Sequence, residues 1–129
     1  MEKGKYLMMV VDDEPIVGKR LKQIFEKAGY NTEVFTGGRS ALEDLKKKKY
    51  DIVVTDLRMD DVDGIKILEE AREKNPDIKV IIITAYAEME TAKEAFKKGA
   101  FDFIAKPFKI DELKQVIARA EKELAKSRE

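Results

Sequence analysis

The sequence predicts a doubly wound α/β fold in which five parallel strands form one sheet and five helices cover both of its faces. Three observations predict it. Five short apolar runs recur, at residues 6–11 (YLMMVV), 32–35 (TEVF), 52–55 (IVVT), 80–84 (VIIIT) and 101–105 (FDFIA). Runs one, three and four are nearly all apolar and β-branched, as strands buried on both faces are, whereas runs two and five are mixed, as sheet edges are. Between the runs lie segments of helical period, and strand–helix alternation at this spacing implies parallel strands joined by right-handed crossovers.

Each element has its own justification. After the first strand, Val17, Leu21, Ile24, Phe25 and Ala28 share one helical face, and Gly29 follows as the residue that ends the helix. After the second, Ala41, Leu42 and Leu45 form a shorter stripe that runs into Lys46–Lys49, read as a solvated helix end favourable to the dipole. After the third, Ile65, Leu68 and Ala71 form a stripe that stops before Asn75-Pro76. Ala92, Ala95 and Phe96 form the fourth, ended by Gly99. Leu113, Val116, Ile117, Ala120 and Leu124 form the fifth, on a helix expected over about 110–126. At 1.5 Å per residue that helix is about 25 Å long, longer than the roughly 17–20 Å of a short strand. It is expected to overhang the sheet at its C-terminal end. Leu124, among Glu121, Lys122, Glu123, Lys126 and Arg128, is expected to be exposed there, leading into an output domain or forming a dimer seam.

Composition narrows the chemistry. The 129 residues suit one domain, 1–129, with the last helix continuing as a linker. Hydrophobic residues are 43% of the chain, enough for a core, and 40% are charged, which implies densely charged helix faces. Lys+Arg and Asp+Glu are both 26, so the chain lacks the basic excess that non-specific nucleic-acid or membrane binding needs. There is no cysteine and no histidine, which removes disulfides, thiolate zinc sites, histidine bases and every Ser-His-Asp arrangement. The apolar run behind the N-terminus is cut by Asp12, Asp13 and Glu14, too early for a signal peptide or membrane span, and a cytoplasmic location is expected.

In such sheets ligands bind beyond the carboxyl ends of the strands, where strand order reverses. Asp12 and Asp13 follow the first strand, Asp56 the third, Thr84 ends the fourth and Lys106-Pro107 the fifth. In a sheet of order 2-1-3-4-5 these converge on one edge. Three carboxylates together raise one another's pKa, and a hard divalent cation resolves the repulsion. Mg²⁺, which takes a few carboxylates, a backbone carbonyl and retained waters, fits. A phosphoryl group between metal, Thr84 and Lys106, with Asp56 as carboxylate nucleophile, makes physical sense. Each residue alone has a plainer reading. Asp13 ahead of Pro15 can cap a helix. A threonine ending a buried strand is ordinarily structural, and a lysine before proline is ordinarily a solvated strand end. Asp56, directly after IVVT with no helix start for several residues, has no such excuse. The joint arrangement at successive strand ends decides for a site.

The motifs VVDDEP, VVTDLRM with a following DG, IIITAYA and FDFIAKPF resemble the receiver domains of two-component response regulators, similar to the chemotaxis regulator, over residue 6 to about 126. TDLRM and TAYAEMETAKEAFKKGAFDFIAKPF resemble most the receivers that precede enhancer-binding transcription activators of the nitrogen-regulation type. The resemblance implies the flavodoxin-like order 2-1-3-4-5. It implies that Asp56 accepts a phosphoryl group from a sensor histidine kinase. Asp13, Asp56 and the Arg58 carbonyl would bind Mg²⁺ directly, with Asp12 helping through water, and Thr84 and Lys106 would hold the phosphoryl oxygens. It implies a cis Lys106–Pro107 bond, and an aromatic switch residue, Phe103, that follows Thr84. Ala85 is small, as the family expects. Arg58 and Tyr86, two residues past Asp56 and Thr84, are expected to overhang the phosphoryl group and slow its hydrolysis. One departure stands out: Asp60 occupies the family's usual proline position, adding charge and loosening the loop before the third helix.

The expected function is a signalling switch that catalyses only its own aspartyl phosphorylation and dephosphorylation. Its expected partners are a sensor histidine kinase, an output domain or downstream protein, and a second copy in a phosphorylation-dependent homodimer. No direct nucleic-acid or membrane contact is expected. The rival is a free-standing aspartyl-nucleophile phosphatase of the haloacid-dehalogenase type. Such enzymes carry an acid two residues after the nucleophile, where this chain has Arg58, and a cap domain that does not fit here. A receiver fold kept only for protein contacts would have lost part of the site, and this chain has all of it.

Overall fold

The computed structural model describes residues 6–85 and 89–127. Five strands, β1 (Leu7–Val11), β2 (Asn31–Phe35), β3 (Ile52–Asp56), β4 (Lys79–Ala85) and β5 (Asp102–Lys106), alternate with five helices. These are α1 (Pro15–Lys27), α2 (Gly38–Lys47), α3 (Gly64–Lys74), α4 (Met89–Lys97) and α5 (Ile110–Ser127). The sheet is parallel throughout, in the order β2-β1-β3-β4-β5. Every expected strand is present within a residue or two of its apolar run.

Side-chain alternation divides the core in two. Met8, Val10, Ile52, Val54, Ile81, Ile83 and Ile104 point to one face and pack under α1 and α5. Met9, Val11, Val53, Val80 and Ile82 point to the other, under α2, α3 and α4. The middle strands are therefore apolar on both sides, which is why their sequences show no alternation. Helices α1 and α4 are each followed by a glycine in the left-handed region, Gly29 at φ 101° and Gly99 at φ 107°, where a Cβ is disfavoured.

Three expectations about helix faces are corrected. Leu124 is fully buried, not exposed: it continues the Leu113, Ile117, Ala120 stripe into the α1–α5 core. Tyr6, ahead of β1, and Tyr30, ahead of β2, extend that core beyond the strands' first residues, so the long helix is covered as far as Leu124, beyond which its last three described residues are exposed. The Tyr30 hydroxyl donates to Glu121 Oε1 at 2.5 Å, drawing the charged residue over the edge of the same patch. Phe96 is 53% exposed, while Ala92 and Ala95 form the buried side of α4 among its described residues. Ala28 is exposed at the end of α1. The Lys46–Lys49 run does end a helix, although Lys48 pairs with Glu33 and Asp44.

Candidate functional site

Parallel pairing brings the strand ends level. Val11 lies beside Thr55, Asp56 beside Ile83, and Thr84 beside Ala105. The residues just past those positions therefore meet at one edge. Asp12 is 2% exposed, Asp56 is partly buried, and Asp13 is exposed. One carboxylate oxygen from each of the three lies within 4.8 Å of the others. Lys106 reaches across from β5: its ammonium donates to Asp56 Oδ2 at 3.0 Å and to Asp12 Oδ2 at 3.4 Å.

The local backbone explains how each acid is presented. Pro15 opens α1, and the capping position is Glu14, whose side chain makes no capping bond. Asp12 Oδ1 accepts from the Glu14 amide at 2.9 Å, and the Asp12 amide donates to the Phe35 carbonyl. Asp13 is thus not spent on capping, and its carboxylate faces the cluster. Beyond Asp56, the Leu57 amide donates to the Ile83 carbonyl and the Gly64 amide returns to the Leu57 carbonyl. The loop from Arg58 to Asp63 is so held at both ends. Thr84 is fully buried, and its hydroxyl donates to the Ala85 carbonyl at 3.1 Å. Phe103, half-buried, stacks edge-on against Phe96 with ring centroids 6.4 Å apart. It is registered beside Ile82, two residues before Thr84 on the same face of the sheet. The Lys106–Pro107 bond is cis.

The electrostatics are those of an acid cluster with Lys106 reaching into it. Burial raises the Asp12 pKa, aided by the charge of Asp56 and opposed by the Glu14 amide and Lys106. Burial pushes the Lys106 ammonium down, but the hydrogen bond to Asp56 and the charges of Asp56 and Asp12 outweigh it, and the net shift is upward. Lys106 therefore stays protonated at neutral pH. An all-oxygen donor set of three carboxylates, without nitrogen or sulfur, fits a hard divalent ion such as Mg²⁺.

Sequence reasoning missed two contributors. Glu14 Oε1 sits 3.6 Å from the Lys106 ammonium. Asp61 accepts from the amides of Gly38, Arg39 and Val62, so the loop carrying Asp60 is tied down by its neighbour despite lacking the proline. Nothing in the one-dimensional pattern ties Asp61 to a helix 23 residues away. The expectation placed on Tyr86 lies outside the described residues. Among the described residues no helix is long and apolar enough to cross a membrane.

The family model described as response regulator receiver domain matches residues 8–118. The chain is 43% identical over 113 residues to the regulatory protein AtoC of Escherichia coli, a match covering 88% of this chain and 24% of that protein. It is 39% identical over 129 residues to the transcriptional regulatory protein ZraR of Salmonella typhimurium, covering 100% of this chain and 29% of that protein. A solved receiver domain protein from Clostridium thermocellum superposes with a TM-score of 0.85 at 28% identity, covering 93% of this chain and 98% of that one. The chain spans about a quarter of the length of the curated relatives it matches.

Proposed function

This chain belongs to the response regulator receiver domain family, and on that premise we propose that Asp56 is its phosphoacceptor in a Mg²⁺-dependent signalling switch. The observation that carries the reading is the Lys106 ammonium held between Asp56 and Asp12, with the Asp13 carboxylate alongside. An isolated salt bridge needs one acid. Three acids around one lysine leave negative charge uncompensated, which suits a site that takes a cation and then an anion.

In the forward step an Asp56 oxygen attacks the phosphorus of a phosphohistidine on a sensor kinase. The P–N bond breaks, its electron pair goes to the imidazole nitrogen, which takes up a proton, and an aspartyl phosphate remains. In the reverse direction of the switch, water attacks phosphorus, the P–O bond to Asp56 breaks, and carboxylate and inorganic phosphate return. Asp13, Asp56 and the Arg58 carbonyl would hold Mg²⁺, with Asp12 helping through water, and the ion would supply positive charge to offset that of the phosphoryl oxygens. Lys106 is within reach of the same volume and offers its ammonium to a phosphoryl oxygen. Thr84 exchanges its bond to the Ala85 carbonyl for one to the phosphoryl group, and Phe103 takes up the space that rotation leaves on its face of the sheet. Partner choice follows from that face: an output domain or downstream protein, or a second copy. The full protein is then a transcription regulator like those it resembles, working in the cytoplasm with a sensor histidine kinase. The aspartyl phosphatase alternative has no support from the comparisons, and its second acid is Arg58 here.

The test is incubation with acetyl phosphate and Mg²⁺ followed by intact mass. One phosphoryl group should be added to the wild type and none to Asp56→Asn or to an EDTA-treated sample. Labelling that persists in Asp56→Asn or ignores EDTA overturns the assignment.

A further inference from the structure

Helix α2 begins without a cap of its own. Its capping position is Gly37, which has no side chain to offer, and no side-chain capping bond comes from within the segment. The missing acceptor arrives from the loop after β3. Asp61 Oδ1 accepts from the Gly38 amide at 3.0 Å and the Val62 amide at 2.7 Å, and Oδ2 accepts from the Arg39 amide at 3.0 Å. The Arg39, Gly38 and Val62 amides hold this carboxyl below its usual range, the mark of an acid bound as its anion. A carboxylate at a helix N-terminus is favourable both as an acceptor and against the dipole. The backbones approach closely to allow it: a Cβ on Gly38 would lie 2.7 Å from both the Cβ and the carbonyl oxygen of Val62.

This contact closes a circuit around the acid cluster. The Asp12 amide is bonded to the Phe35 carbonyl at 3.0 Å. Phe35 leads through Thr36 and Gly37 into the α2 terminus, and the α2 terminus is bonded to Asp61. Asp61 lies three residues from Arg58, whose carbonyl is an expected ligand. The two arms of the cradle, one carrying Asp12 and the other Arg58, are thus joined by Asp61. Asp60, its exposed neighbour, supplies no ring to stiffen the loop.

We propose that Asp61 is a positioning residue of the metal cradle, pinning the Arg58 loop to helix α2 so that the carbonyl is held in place before Mg²⁺ arrives. The proposal rests on the reading of the acid cluster as a Mg²⁺ site. Holding a ligand in place reduces the ordering that binding must impose, so the effect falls on metal affinity rather than on the chemical step.

The experiment is calorimetric titration of the chain with Mg²⁺, for wild type, Asp61→Ala, Asp61→Asn and Gly38→Ala, with amide hydrogen exchange measured in metal-free buffer. Asp61→Ala should weaken Mg²⁺ binding about tenfold, the lower end of what loss of a supporting residue costs. Acetyl phosphate labelling at saturating Mg²⁺ should stay within about twofold of wild type, because the reacting groups are untouched. The Gly38 and Arg39 amides should lose protection. Asp61→Asn keeps the oxygen that serves Gly38 and Val62, and should fall between. Gly38→Ala leaves Asp61 in place but forces Val62 away, and should weaken Mg²⁺ binding as well. Unchanged affinity in Asp61→Ala and Gly38→Ala overturns the proposal. So does an Asp61→Asn affinity equal to that of Asp61→Ala, which would make the effect one of charge and not of position. A wild type that takes up no Mg²⁺ refutes the metal reading itself, and is recognised as such before any variant is compared.

Discussion

Lys106 is paired with two of the three acids, so Lys106→Met, which keeps the length of the stem but removes the charge, probes the site directly. At 3.0 Å from Asp56 and 3.4 Å from Asp12, each attraction is about 5 kcal/mol at an effective dielectric of 20. Desolvation of the same groups offsets most of that. Removing one partner of a buried pair costs about 3–5 kcal/mol in measured cases. The Lys106 side chain is 27% exposed, and screening there brings the expected loss to about 2–3 kcal/mol. With an unfolding entropy of about 0.27 kcal/mol/K for a chain of this length, the Tm of the metal-free protein should fall by about 7–11 °C. The loss should depend on pH. Asp12 already has a folded pKa above its unfolded value, and removing Lys106 raises it further. Between the two values the native chain binds more protons than the unfolded one, so stability rises as pH falls through that window. The deficit of the variant should therefore shrink from pH 7 toward pH 5, and saturating Mg²⁺ should shrink it at pH 7. Urea melts at both pH values, with and without Mg²⁺, measure this. An Lys106→Met protein as stable as wild type at pH 7, or one whose deficit grows as pH falls, would refute the reasoning.

Other predictions follow from packing. Leu124→Ala should cost about 2–3 kcal/mol, the low end for a buried leucine because the end of α5 can relax. A loss under about 0.5 kcal/mol, the surface norm, accompanied by a change in sedimentation, would restore the exposed-seam reading. Gly99→Ala should cost about 1–3 kcal/mol, since φ is positive and a Cβ there would sit 2.5 Å from Arg72 Nε. Pairing it with Arg72→Ala should recover only the steric part, and full recovery in the double variant would show that the backbone is unstrained.

Most of the fold was legible because it rests on two short-range signals. Double-sided burial made β1, β3 and β4 uniformly apolar, and the helical stripes between them were regular. The acids and Lys106 were legible for a related reason: a residue just past a strand has a known destination once the strand order is known. What failed was anything decided by a neighbour distant in sequence. Leu124 looked exposed because Glu121, Lys122, Glu123, Lys126 and Arg128 surround it in sequence, but the leucine stays on the buried stripe of α5 and joins the core cluster that contains Tyr6. Phe96 looked buried because it shares a helical stripe with Ala92 and Ala95, yet it is exposed and meets the rest of the fold edge-on at Phe103. Asp60 drew attention to this loop, but its neighbour Asp61, which accepts from the Gly38 and Arg39 amides, had no signal in the one-dimensional pattern.

Chemical location of the phosphoryl group tests the assignment of Asp56 most directly. After acetyl phosphate treatment with Mg²⁺, borohydride reduces an aspartyl phosphate to homoserine, and peptide mapping reports the position. Homoserine should appear at residue 56, and at no other aspartate, in a wild-type sample prepared with Mg²⁺, with none formed when EDTA is present. Homoserine at Asp12 or Asp13, or an unmodified Asp56 in a chain that has gained a phosphoryl group, would contradict it.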